Sequence, residues 1–136
     1  AKRDLKKGRT SPAVERLIEC NILLSGVGFE SGGLALAHAI ANGLTILPEC
    51  KAMHGETVAF GLVVQLRLER APELDQVLEF CQRVGLPTTL AELGLGEISD
   101  ADLQGVANAV FRNERNMANE QAKVTKQKLV QLICEA

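Results

Sequence analysis

Helical periodicity constrains the fold of this chain more than any other feature. Apolar residues recur three or four positions apart in almost every segment, as at Val14, Leu17, Ile18 and Ile22. Stretches with the alternating pattern of a β-strand are scarce. The sequence therefore predicts an all-α fold, a helical bundle.

Capping residues divide this pattern into six predicted helices. Pro12, directly after Ser11, is suited to open the first, which we predict to end near Gly26. Ser31 is a possible cap for the second, with a stop signal at Asn42-Gly43. The other four are predicted to begin at His54, at Pro72, after Ser99, and after Thr125 or a residue just before it.

Two consecutive helices are expected to form the centre of the bundle. The segment VAFGLVVQL, residues 58–66, is apolar nearly all round, so it needs burial on several sides. The preceding segment GGLALAHAIANG, residues 32–43, is rich in small residues, which permit close helix packing. We expect these two helices to be adjacent.

Length and charge limit the classes of function. At 136 residues the chain is predicted to form one domain over residues 1–136. A net charge of -2 argues against nucleic acid or an anionic membrane as a partner. No apolar run is long enough to span a bilayer, and the four cysteines are far apart and form no CxxC pair. These features predict a cytoplasmic location with free thiols.

The glycine-rich stretch from Gly26 permits a nucleotide-binding interpretation. Gly26 and Gly28 follow the apolar segment ILLS, and Glu49 ends a later apolar segment, as in a dinucleotide-binding fingerprint. Ser31, however, occupies the place of the third glycine, and the supposed first strand continues a helical stripe. The pattern is therefore a weak signal for a phosphate-binding loop.

The two histidines suggest a metal site instead. His38 falls within the second predicted helix and His54 at the start of the third, with a connection of about ten residues between these helices. An antiparallel pair of helices would bring both rings together. Catalytic zinc usually takes three protein ligands, so two imidazoles make an incomplete set. The alternative is that both rings are packed side chains of a helical core.

The block from Gly26 to Gly61 resembles a known family. GVGFESGGLALAHAIANGLT followed by HGETVAFG is similar to the C-terminal helical domain of the glycerol dehydrogenases, within the iron-containing alcohol dehydrogenases. Weaker resemblance extends from about Ser11 to Met117. It implies a divalent metal, usually zinc, held by one aspartate and two histidines that correspond to His38 and His54.

The chain also departs from the family pattern. The resemblance places the aspartate ligand and the NAD-binding domain upstream of Ala1, so neither NAD binding nor a complete metal site is expected in this chain. The loop between the histidines is one residue shorter than the family pattern implies. Ala41 and Arg115 each stand where the family often has a histidine.

Four further residues have both functional and structural interpretations. Glu30 and Glu56 are candidates to orient a histidine, or they stabilise helix starts. Phe29 is a candidate for the substrate pocket or a core residue. Cys50 is a candidate substitute ligand for the absent aspartate, although its spacing gives no tetrahedral set.

The resemblance implies the metal- and substrate-side domain of an NAD-dependent, zinc-dependent glycerol dehydrogenase, present as a fragment. Its substrate would be glycerol or a similar small polyol, oxidised to dihydroxyacetone, and the isolated chain would be inactive. The alternative is a non-catalytic, stand-alone helical interaction module descended from that domain. Apolar surface left uncovered by the absent domain favours a homo-oligomer.

Overall fold

The computed structural model describes all 136 residues and confirms the all-α prediction, with eight helices and no β-strand. It divides into two compact units, residues 1–33 and 34–136. The single domain expected over residues 1–136 stays a prediction. In chain order the helices are α1 (Lys2–Lys6), α2 (Pro12–Gly32), α3 (Leu36–Leu44), α4 (His54–Glu69), α5 (Leu74–Val84), α6 (Asp100–Arg112), α7 (Glu114–Ala118) and α8 (Lys126–Glu135).

The first unit consists of the short helix α1 and the long helix α2. The sequence patterns gave no signal for α1. The predicted start of α2 is confirmed, because Pro12 is the first helical residue and Ser11 Oγ accepts a hydrogen bond from the Val14 backbone N–H. Val14 is the one buried residue of α2.

The predicted end of this helix near Gly26 is wrong. Helix α2 continues through Gly26 and Gly28 to Gly32, so this stretch is neither a strand nor a phosphate-binding turn. Ser31 lies inside α2 and does not cap α3. The helix stops where Gly33 adopts a φ of 69°, a left-handed conformation that glycine reaches without steric cost. Gly26 and Gly28 keep a helical conformation, so the helix ends only at Gly33, where φ becomes positive.

The second unit has one hydrophobic core, built mainly by α3, α4, α6 and α8. Helix α3 is largely buried and packs against α4, α6 and α7, while α4 packs against α3, α5 and α8. Phe60 of α4 is the largest fully buried side chain. The largest of its fully buried neighbours in the core are Leu36, Ile40, Leu44, Val64, Val106, Val110, Leu129 and Ile133.

Most other predicted boundaries are confirmed. Ser99 caps α6 by accepting a hydrogen bond from the Asp102 N–H, and Thr125 caps α8 in the same way. Helix α5 begins at Leu74, two residues later than the predicted Pro72, and ends at Val84, where Gly85 forms the C-cap. No helix is by itself both long and apolar enough to span a bilayer; α2 and α3 meet these two criteria only when they are taken as a pair.

Candidate metal centre

His38 and His54 come together in the second unit. His54 is the first residue of α4, as predicted, while His38 lies in the first turn of α3 and not in its middle. The centres of the two imidazole rings are 5.8 Å apart, with their planes inclined at 53°. His38 is half-buried and His54 is exposed, so the pair opens to the surface.

A close contact between α3 and α4 sets this separation. A Cβ atom added at Gly61 would lie 2.3 Å from the carbonyl oxygen of Ala37, the residue before His38. Only glycine allows the two backbones to approach so closely. Gln65, one turn further along α4, accepts a hydrogen bond from the Ala37 N–H through Oε1, at 2.9 Å.

The first turn of α4 holds the backbone of His54. The Glu56 carboxylate accepts a hydrogen bond from the Met53 N–H at 2.7 Å, which stabilises the helix start. The Thr57 hydroxyl donates to the His54 carbonyl oxygen at 2.9 Å. The backbone from which the His54 ring extends is therefore well fixed.

The environment favours the neutral form of one imidazole. Burial, and in second place the charge of His54, lower the pKa of His38 below its ordinary value of 6.5. A neutral imidazole has a free lone pair and is the form that binds a metal. His38 is therefore suited to be a metal ligand at neutral pH.

The imidazole nitrogens of His38 and His54 are suited to be two of the ligands of a zinc ion. Zinc–nitrogen bonds are about 2.0–2.1 Å long, so two ligating nitrogens lie on the order of 3–4 Å apart. Imidazole rings with centres at 5.8 Å can meet that requirement. The chain has no group of three or more His, Cys, Asp or Glu side chains able to hold one ion.

The other candidate residues do not extend this pair into a complete set. Cys50 is half-buried and packs against the hydrophobic core. The bond from Met53 occupies Glu56 as a helix cap, and Glu56 lines a surface groove of about 600 Å³ to which neither histidine contributes. Its role in orienting a histidine stays a prediction.

Phe29 and Glu30 belong to the first unit. Both lie in the last turn of α2 and are exposed, so Glu30 is not at a helix start as the sequence suggested. With half of its surface accessible, Phe29 is not a core residue. Their contribution to a substrate pocket stays a prediction.

Sequence reasoning missed two residues that position His38. Gln65 supplies the hydrogen bond at the start of α3 that the N-cap residue, Ala35, cannot make. Asn119 donates from Nδ2 to the Leu34 carbonyl oxygen at 2.8 Å. The signal for Gln65 was a polar residue within the apolar run VAFGLVVQL. Asn119 gave none, because it lies far away in sequence.

We expect the isolated chain to bind zinc weakly and reversibly. Two imidazoles provide half of a tetrahedral set and no negative charge to neutralise the ion. Titration with a competing chelator should give a dissociation constant of about 1 µM or higher, well above that of a complete structural zinc site. Nanomolar binding would show that a further ligand takes part.

Comparison with known proteins extends these observations, although no family model matches the chain. A glycerol dehydrogenase from Thermotoga maritima is 49% identical over 128 residues, which is 92% of this chain. One from Citrobacter freundii is 50% identical over 121 residues, or 87% of this chain. The chain spans only 35% and 33% of the lengths of these two relatives.

The fold agrees with these relationships. The crystal structure of a probable glycerol dehydrogenase from Sinorhizobium meliloti 1021 matches 97% of this chain with a TM-score of 0.89 and 40% identity. The match covers 38% of that protein. In sequence and in fold, the chain therefore belongs to the glycerol dehydrogenase family and corresponds to the C-terminal helical part of those longer proteins.

Proposed function

We propose that this chain is the metal- and substrate-side domain of an NAD-dependent, zinc-dependent glycerol dehydrogenase that oxidises glycerol to dihydroxyacetone. The observation that carries the proposal is the convergence of His38 and His54, at 5.8 Å between ring centres, in a chain about half identical to glycerol dehydrogenases. In this proposal the third metal ligand and the NAD-binding surface belong to the part of the longer proteins outside the matched region.

Each histidine has a defined task in this proposal. His38, kept neutral by burial, and His54, held by the first turn of α4, would hold the metal on the open side of the α3–α4 pair. A divalent metal bound there would act as a Lewis acid on the substrate hydroxyl, so that its proton leaves more easily as a hydride passes to NAD. The exposure of His54 leaves room for a small polyol to approach.

A hybrid protein tests the proposal directly. The upstream two-thirds of the Thermotoga maritima relative, joined to this chain in place of its own matching region, should oxidise glycerol with NAD. A folded hybrid that binds both zinc and NAD but leaves glycerol unchanged would contradict the assignment of function. That result would favour the alternative of a non-catalytic helical module.

The isolated chain should show no glycerol oxidation with NAD. Hydride transfer requires the donor carbon and the nicotinamide to be held in reacting distance, and such positioning contributes several orders of magnitude to the rate. Absorbance at the NADH wavelength should stay at the level of a buffer blank, with the hybrid as positive control. Zinc-dependent NADH formation by pure 136-residue material would refute this expectation.

A further inference from the structure

The start of α3 has no cap from its own segment. Its N-cap residue, Ala35, has no polar side chain and makes no side-chain hydrogen bond to the helix start. Ala37, in the first turn, is buried, so water does not replace a missing partner for its N–H. His38 follows directly in the same turn. The direction of its ring therefore depends on what holds this turn in place.

A pair of side chains on α4 supplies the missing cap. Gln65 Oε1 accepts a hydrogen bond from the Ala37 N–H at 2.9 Å, and Gln65 Nε2 donates to Glu69 Oε1 at 2.7 Å. An amide has one accepting and one donating end, whereas a carboxylate only accepts. The opposite orientation of the amide would place two donors together at Ala37 and two acceptors together at Glu69. Glu69 therefore keeps the oxygen of Gln65 turned towards α3.

A third polar side chain holds the backbone just before this helix. Asn119, the residue after α7, donates from Nδ2 to the Leu34 carbonyl oxygen, two residues before α3 begins. Gln65, Glu69 and Asn119 line one surface groove of about 540 Å³, to which neither histidine contributes. These side chains therefore act on the metal centre only through the backbone of α3.

We propose, on the basis of the proposed function, that Gln65, with its amide oriented by Glu69, is a positioning residue of the metal centre. It fixes the first turn of α3 and with it the direction in which His38 presents a ring nitrogen to the ion. His54 has separate support, because the Thr57 hydroxyl binds its carbonyl oxygen. Loss of the bond from Gln65 therefore displaces one imidazole relative to the other.

Gln65→Met tests this role, because it removes the acceptor with little change in size and none in net charge. The zinc affinity of the chain should fall about tenfold, the lower end of the effect of residues that orient metal ligands. His38 and His54 are the only histidines of the chain, so NMR signals of imidazole ring protons report zinc binding at this pair and not at the cysteines. The midpoint of a zinc titration followed by these signals gives the affinity.

Exchange of the two side chains provides the conservative variant. In Gln65→Glu/Glu69→Gln, the carboxylate at position 65 accepts from the Ala37 N–H with one oxygen and from the amide at position 69 with the other. Net charge is unchanged, so this variant should bind zinc as the wild type does. Gln121→Met is the matched control, since Gln121 lines the same groove but is exposed and makes no side-chain hydrogen bond. It should also keep the wild-type affinity.

Urea unfolding of the same proteins separates positioning from stability. A lower unfolding midpoint of Gln65→Met with wild-type zinc affinity would show that Gln65 only stabilises the fold, and would overturn the proposal. An equal loss of affinity in Gln121→Met would do the same. Loss of affinity in the exchanged variant would also overturn it, even if Gln65→Met does not fold.

The titrations are independent of turnover. Histidine signals of the wild-type chain that do not respond to zinc would refute the metal centre, and the positioning role of Gln65 with it. A hybrid that binds zinc but does not oxidise glycerol would contradict the proposed function and leave the comparison of these variants unaffected.

Discussion

Replacement of Gly61 by alanine should destabilise the second unit by about 3 kcal/mol or more. The new Cβ would lie 2.3 Å from the Ala37 carbonyl oxygen and 3.0 Å from its carbon, both backbone atoms of α3. Backbone atoms cannot rotate away as a flexible side chain can, so α3 and α4 must separate. Urea unfolding followed by circular dichroism would measure the loss.

A second glycine of the same helix serves as the control. A Cβ at Gly55 meets nothing within 4 Å, and alanine has the higher helix propensity. The free energy of unfolding of Gly55→Ala should therefore be equal to that of the wild type or higher by up to about 1 kcal/mol. Equal unfolding midpoints for Gly61→Ala and Gly55→Ala would show that the contact with Ala37 does not limit the packing of α3 on α4.

Gly61→Ala should also weaken metal binding. Ala37 directly precedes His38, so a displacement of α3 at this point moves one imidazole away from the other. Under conditions in which Gly61→Ala is still folded, its zinc affinity should fall well below that of Gly55→Ala. Unchanged affinity would mean that the separation of the histidines does not depend on this contact.

The second large effect is expected in the hybrid enzyme described above. His38→Ala and His54→Ala should each remove most of the bound zinc and lower glycerol oxidation by roughly a thousandfold, since a Lewis acid contributes several kcal/mol of transition-state stabilisation. Zinc content by mass spectrometry provides a readout that is independent of turnover. Helical content should be retained, because neither ring is fully buried.

Met53→Ala is the matched control for this experiment. Met53 directly precedes His54 and 71% of its surface is exposed, while its hydrogen bond to Glu56 comes from the backbone and survives the substitution. This variant should keep its zinc and its activity. Wild-type zinc content in both histidine variants would show that His38 and His54 do not bind the metal.

Local signals were sufficient for much of the fold. The caps at Ser11, Ser99 and Thr125 were predicted because a hydroxyl and the N–H groups it stabilises are neighbours in the chain. The start of α4 at His54 was also predicted, and there the Glu56 carboxylate accepts a hydrogen bond from the Met53 N–H, three residues away. The continuation of α2 beyond Gly26 was not predicted, since a glycine is compatible with both a helix and its end.

Some residues of the candidate site could also be predicted from the sequence, and others could not. Its two histidines were identified from the sequence, by helical placement and by resemblance to glycerol dehydrogenases. The hydrogen bonds from Gln65 and Asn119 to the start of α3 link residues 28 and 85 positions apart, so no local pattern encodes them. Phe29 and Glu30 could be named from sequence, but not placed on an exposed helix end.

By itself, the sequence determined where the six longer helices lie and which two side chains are suited to bind a metal. Both depend on residue type and on spacing along the chain. The tertiary structure alone decided that these imidazoles lie 5.8 Å apart, because their separation depends on how closely α3 approaches α4. The two helices can approach so closely because Gly61 has no side chain. This property of Gly61 matters only in the folded protein, where the Ala37 backbone lies against Gly61.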